Sequence, residues 1–129
     1  MCRFSDKGSS MEHMKSINRS FHYSERLKSN LLLAMRALDR IGRLEGIELE
    51  GAIEVMRAVF EGLGTELGIA KSCIDSKEFN LAVAKVTEAE GHTDLHKFEK
   101  ARQSLSEALS CITTLSGKSL SILKERDLV

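Results

Sequence analysis

The sequence predicts an all-α fold, an antiparallel four-helix bundle with room for a short fifth helix. Three observations carry this. Apolar residues recur at alternating steps of four and three along most of the chain, the spacing of one helical face. Proline is absent and aromatics are only 5% of the residues, poor material for the turns and large side chains of a β-sandwich. The breaks between periodic runs are short and polar, and short connections make consecutive helices antiparallel neighbours. At 129 residues the chain is one domain long enough to bury about two thirds of the surface its unfolded form exposes.

Residues 1–12 are small and polar and read as a disordered lead to a helical domain spanning 13–129. A first helix from about Lys15 to Leu44 follows from Ile17, Phe21, Ser24, Leu27, Leu31, Ala34, Leu38 and Ile41. Gly46 is placed to end it as a C-terminal glycine. The second helix has the cleanest pattern: Leu49, Ile53, Met56, Phe60, Leu63, Leu67, Ala70 and Ile74. That phase runs unbroken through Gly62, Gly64 and Gly68, so the helix is expected to continue through them, although each glycine weakens a helix by about 0.8–1 kcal/mol relative to alanine. Gly64 and Gly68 stand four apart, a spacing that lets another backbone approach.

Asp75 is expected to cap a third helix from about Ser76 to Glu90, with Glu78 reaching back to it and Phe79, Ala82, Val83 and Val86 buried. Gly91 and His92 break that helix and Thr93 caps a fourth, whose stripe is Leu95, Phe98, Ala101, Leu105, Ala108, Leu109, Ile112 and Leu115. Gly117 is a place for it to stop, leaving Ser119–Arg126 as a continuation or a fifth helix. Between the second and third helices, Ala70–Ala82 resembles the turn of several helical-hairpin families, among them tetratricopeptide repeats, flagellar export chaperones and HEPN-type domains. Unrelated families share that turn, so the likeness marks hairpin packing and transfers no functional residue.

Nineteen basic and nineteen acidic residues cancel, so the chain lacks the overall basic bias of a domain held on nucleic acid by charge. Their distribution is uneven. Residues 1–46 carry nine basic and five acidic side chains, and residues 47–75 carry two and six. Arg36, Arg40 and Arg43 share a face of the first helix with Arg26 nearby, a cluster suited to gripping phosphates or an acidic partner. Nucleic acid is the less favoured occupant, because no exposed aromatics interleave with these arginines for base stacking.

Catalytic chemistry finds little support, and no cofactor is expected. His92 and His96 stand four apart, but no HExxH or ExxH companion accompanies them. His22 in Phe21-His22-Tyr23 lies opposite the apolar stripe and reads as a solvated side chain rather than a phosphorelay histidine. Leu115-Ser-Gly117-Lys118-Ser119 echoes the end of a phosphate loop, yet Ile112 stands where its first glycine belongs. Glu50, Glu54 and Glu61 share a face that a metal-dependent enzyme would use, with Arg57 among them. Cys73 and Cys111 fall on or near apolar faces and read as small hydrophobes. With Cys2 they make an odd set without CxxC spacing, which fits a reduced cytoplasmic protein. No run approaches the roughly 18 apolar residues of a membrane span.

The most informative feature is a surplus. Beyond the main stripe of the second helix, Ala52, Val55, Val59, Ile69 and Cys73 widen the apolar arc past half the circumference, whereas one neighbouring layer needs only somewhat more than about 100°. Such a helix is either central in its own bundle or covered by a second molecule. Leu32 and Leu33 likewise lie off the stripe of the first helix. The sequence therefore predicts a non-enzymatic protein-interaction module, most simply a homo-oligomer, with Leu33, Val55, Val59 and Ile69 as contact residues. An accessory nucleic-acid-binding subunit using Arg26, Arg36, Arg40 and Arg43 is the first alternative, and a metal-dependent enzyme built on the helical bundle is the second and less favoured one.

Overall fold

The computed structural model describes residues 10–126, and they form four helices: α1 (Ser10–Ile41), α2 (Gly46–Lys71), α3 (Lys77–Asp94) and α4 (Phe98–Glu125). Each helix packs against its chain neighbours, and α1 closes the ring against α4. This is the antiparallel four-helix bundle expected, with α4 unbroken through Gly117 and no fifth helix among the described residues. The disordered lead falls mainly on residues 1–9, outside the described residues, but Ser10, Met11 and Glu12 belong to the first turn of α1.

The core combines Leu27, Leu31 and Leu38 of α1, Met56, Phe60 and Leu63 of α2, Phe79 and Val86 of α3, and Leu105 and Ile112 of α4, all buried. Burying each such side chain stabilises the fold by roughly 1.5–3 kcal/mol. The seams differ in size of residue. On α1, Ser16, Ser20 and Ser24 are buried one turn apart, near the stretch of α4 that buries Ser116 and Ser119. Ser20 Oγ and Ser119 Oγ lie 3.5 Å apart, and Ser24 Oγ donates to the Ser20 carbonyl at 2.7 Å. Small side chains let backbones approach closely, and α4 runs close to α1 and to α3 along much of its length. By contrast α2 stands farther from both its neighbours, on the long side chains Ile53, Met56, Phe60, Leu63 and Leu67.

Helix ends differ from expectation in four places, each for a local reason. α1 stops at Ile41, and Gly46, with φ +61°, opens α2 instead of closing α1. Ser76, not Asp75, caps α3: its hydroxyl accepts from the Phe79 amide at 3.1 Å, while Glu78 pairs with Lys118 of α4 instead of reaching back. α3 runs through Gly91 and His92, and Thr93 is buried inside it, donating to the Ala89 carbonyl at 2.8 Å. The stop comes at His96, whose φ of 58° occupies the left-handed position usually given to glycine. There the Lys97 amide donates to the His92 carbonyl at 2.8 Å and the His96 amide to the Thr93 carbonyl at 3.0 Å, a Schellman closure. The turn leaves Leu95 exposed, outside the α4 stripe.

Register is pinned by ion pairs between every two neighbouring helices: Arg26–Glu66 (α1–α2), Arg57–Asp94 (α2–α3), Lys85–Glu107 and Lys118–Glu78 (α3–α4), and Asp39–Arg102 (α1–α4). Exposed pairs of this kind each contribute about 0–1 kcal/mol, so they select alignment more than they add stability.

Candidate functional site

The apolar contact set, with Arg26, Arg36 and Arg40, falls on one side of the molecule, the outer face formed by α1 and α2; Arg43 does not, because α1 ends before it and it turns toward α4. The expected continuity of α2 holds, since Gly46–Lys71 is a single helix through all three glycines. Its position decides between the two readings of its wide apolar arc. Only one face of α2, from Ile53 through Ala70, is buried against α1 and α3, so α2 is not central in its bundle. The surplus lies in solvent. Val55 is 66% exposed, Ile69 47% and Leu33 of α1 65%. Val59 is half-buried between the two helices, where it lines a groove of about 220 Å³ with Asn30, Leu33, Gly62, Leu63 and Glu66.

The outer face of α2 carries a feature that counting apolar residues overlooks. Gly51, Val55, Ala58, Gly62, Thr65 and Ile69 recur at steps of four and three, the spacing of one helical stripe, and all six are exposed. None is charged. The Thr65 hydroxyl donates to the Glu61 carbonyl at 3.1 Å, so its methyl group is what remains for the surface. The strip is about 27 Å long at 1.5 Å per residue. Its signal was present in the sequence as charge missing at helical spacing.

The interior glycines of α2 answer to nothing inside the chain. A Cβ built on Gly51, Gly62, Gly64 or Gly68 meets no atom within 4 Å, and none of the four has a positive φ. The close approach expected at Gly64 and Gly68 is therefore not made within the bundle. Gly51 and Gly62 interrupt the strip with notches, whereas Gly64 and Gly68 lie away from it, toward the side that carries Glu50 and Arg57.

Charge flanks the strip asymmetrically. On the α1 side, Arg36 and Arg40 are exposed and make no ion pair among the described residues; Arg43, grouped with them from sequence, lies past the end of α1 and lines a groove toward α4 with Asp39, Phe98 and Arg102, and Arg26 is held by Glu66 at 2.7 Å. The basic face extends toward the start of α1, where Lys15, Asn18, Arg19, His22, Tyr23 and Arg26 line a shallow groove. On the far side of the strip lie Glu50, Glu54 and Glu61. Arg57 within that acidic edge is occupied by Asp94 at 3.3 Å and by Glu54, and its guanidinium is held further toward the charged form by Asp94 first and Glu54 second.

The remaining candidates do not assemble into a chemical site. His92, inside α3, lies 3.7 Å from Glu88, while His96 stacks on Phe98 at 5.8 Å between ring centroids. Among the described residues no three His, Cys, Asp or Glu side chains are grouped so as to hold a metal ion. Cys73 is buried, and burial, with lesser contributions from Glu78 and Glu107, pushes the Cys111 thiol up, away from the thiolate a nucleophile needs. No helix among the described residues is long and apolar enough to cross a membrane. No protein-family model, curated protein or solved structure matches this chain.

Proposed function

We propose that this protein is a non-enzymatic helical interaction module that self-associates through the outer face of α1 and α2 in the cytoplasm. The observation that carries the reading is the uncharged strip from Gly51 to Ile69, every member exposed, with Leu33 projecting beside it. Exposed apolar residues scattered singly need no explanation, and Leu81 on α3 and Ile122 on α4 are of that kind. An uncharged stripe of helical spacing is different. It has the form of an interface core, depleted of charge and rimmed by polar groups.

Light scattering across a concentration series tests this. The mass should climb from 14.3 kDa toward twice that value as concentration rises, and Val55→Glu, which buries an unpaired charge only when the face is covered, should hold it at the monomer mass while melting at the wild-type temperature in dilute solution, where both are monomers. A wild-type mass that stays monomeric at the highest soluble concentration would refute self-association.

A second reading is favoured by a different observation, the exposed Arg36, Arg40 and Arg43, which make no ion pair among the described residues. As an accessory nucleic-acid-binding subunit the protein would use these with Arg26, and its affinity would fall steeply with salt. Binding to an unstructured oligonucleotide in low salt, abolished by Arg36→Glu/Arg40→Glu/Arg43→Glu, would support that reading; no binding in low salt would dispose of it.

A further inference from the structure

The strip divides a basic edge from an acidic one, and that arrangement restricts how two copies can meet. We infer that the occupant of this face is a second copy of the chain, related by a two-fold axis that runs along the bundle, so that α1 of each copy lies over the acidic edge of α2 in the other. The inference rests on the self-association proposed above and adds its geometry.

In a two-fold dimer the same patch serves both partners. An axis perpendicular to the helices would turn one copy end over end and lay basic edge on basic edge. An axis parallel to them exchanges the two edges while keeping every residue at its own height. Height then matters, and the Arg26–Glu66 bridge fixes it. Counting along the antiparallel helices from that bridge, Arg36 and Arg40 stand level with the α2 segment that contains Glu50 and Glu54. The parallel axis therefore sets Arg36 and Arg40, which make no ion pair among the described residues, opposite Glu54 and Glu50, of which Glu50 is equally uncommitted there, twice per dimer. It also sets Gly62 against Gly62 of the second copy, where the missing side chains give two helices room to touch. An interface with opposite charges facing each other fixes register and disfavours the alternative pairing.

Charge exchange tests the geometry separately from self-association itself. Arg36→Glu/Arg40→Glu and Glu50→Lys/Glu54→Lys, all at exposed positions, should each fold as the wild type by circular dichroism and each weaken self-association by about tenfold or more. Their equimolar mixture should associate as tightly as wild type, because a heterodimer restores an opposite-charge contact on both sides of the axis. If wild type dimerises and the mixture associates no better than either variant alone, the parallel axis is overturned while self-association stands. A wild type that never dimerises, or that is taken up only by a different protein or by an oligonucleotide, overturns both.

Discussion

α4 and α2 are amphipathic helices of similar length, 28 and 26 residues, and the bundle holds them in opposite ways. α4 is seated between α1 and α3 on small side chains, with Ala101, Ser104, Ala108, Ser116 and Ser119 buried at its seams. α2 stands off on leucine, isoleucine, methionine and phenylalanine, with a strip of its outer face carrying small, uncharged residues facing solvent. Small residues mean close packing only where another helix is present. In α4 that helix is part of the chain. In α2 the same kind of surface is left open, and the lesson is that its composition fits a neighbour the monomer does not supply.

The largest effect should come from exchanging the two kinds of alanine. Ala108 is fully buried in α4, and Ala58 lies exposed in the strip of α2. Ala108→Leu should destabilise the fold by about 1–3 kcal/mol by overpacking. Ala58→Leu should change monomer stability by no more than about 0.5 kcal/mol, as for other surface changes, but should alter association. Urea melts of both variants at low protein concentration measure the difference. Equal losses would mean that α2 is as enclosed as α4.

The glycines sharpen the contrast within α2 itself. Gly64→Ala and Gly68→Ala, off the strip and in open space, should each raise stability by about 0.8–1 kcal/mol and leave association unchanged. Gly62→Leu meets no atom of its own chain either, yet it should weaken association because it fills the notch. Melting curves paired with sedimentation equilibrium separate the two outcomes. An unaltered association in Gly62→Leu would detach the strip from any interface.

How much of this was legible in the sequence depends on which physical signal each feature leaves. The four helices were readable because burial at a spacing of 3.6 leaves a periodic record, and α2 kept its phase through Gly62, Gly64 and Gly68. The end of α3 was not, because His96 adopts the left-handed conformation that composition assigns to glycine, and Gly91 drew the boundary to itself. Buried serines were mostly missed for a related reason. Ser16, Ser20, Ser116 and Ser119 are polar by composition and core by geometry, since a small residue is what a close helix crossing requires. Of the residues proposed as contacts, Val55, Ile69 and Leu33 lie exposed, while Val59 turns half inward because α1 passes beside it.

The smallest effect concerns the α1–α4 seam and acid. Glu25 accepts a hydrogen bond from the Ser116 hydroxyl and pairs with Lys28 at 2.9 Å, and these hold its carboxyl below the ordinary value of 4.5, Ser116 foremost. A carboxyl lowered in the folded state stabilises the fold fully above its unfolded value and loses that contribution as pH falls through the folded one. Stability should therefore decline as the pH drops below about 4.5, and Glu25→Gln should make the decline shallower, read as melting temperature against pH. An identical slope in Glu25→Gln would show that this seam is not sensing acid.

The most direct test of the central claim is a dilution series followed by amide NMR, because glycine amides are well separated and this chain has them both on and off the strip. The Gly51 and Gly62 resonances should move with concentration while Gly91 and Gly117, on α3 and α4, stay fixed. Movement at Gly117 with Gly62 unchanged would contradict it.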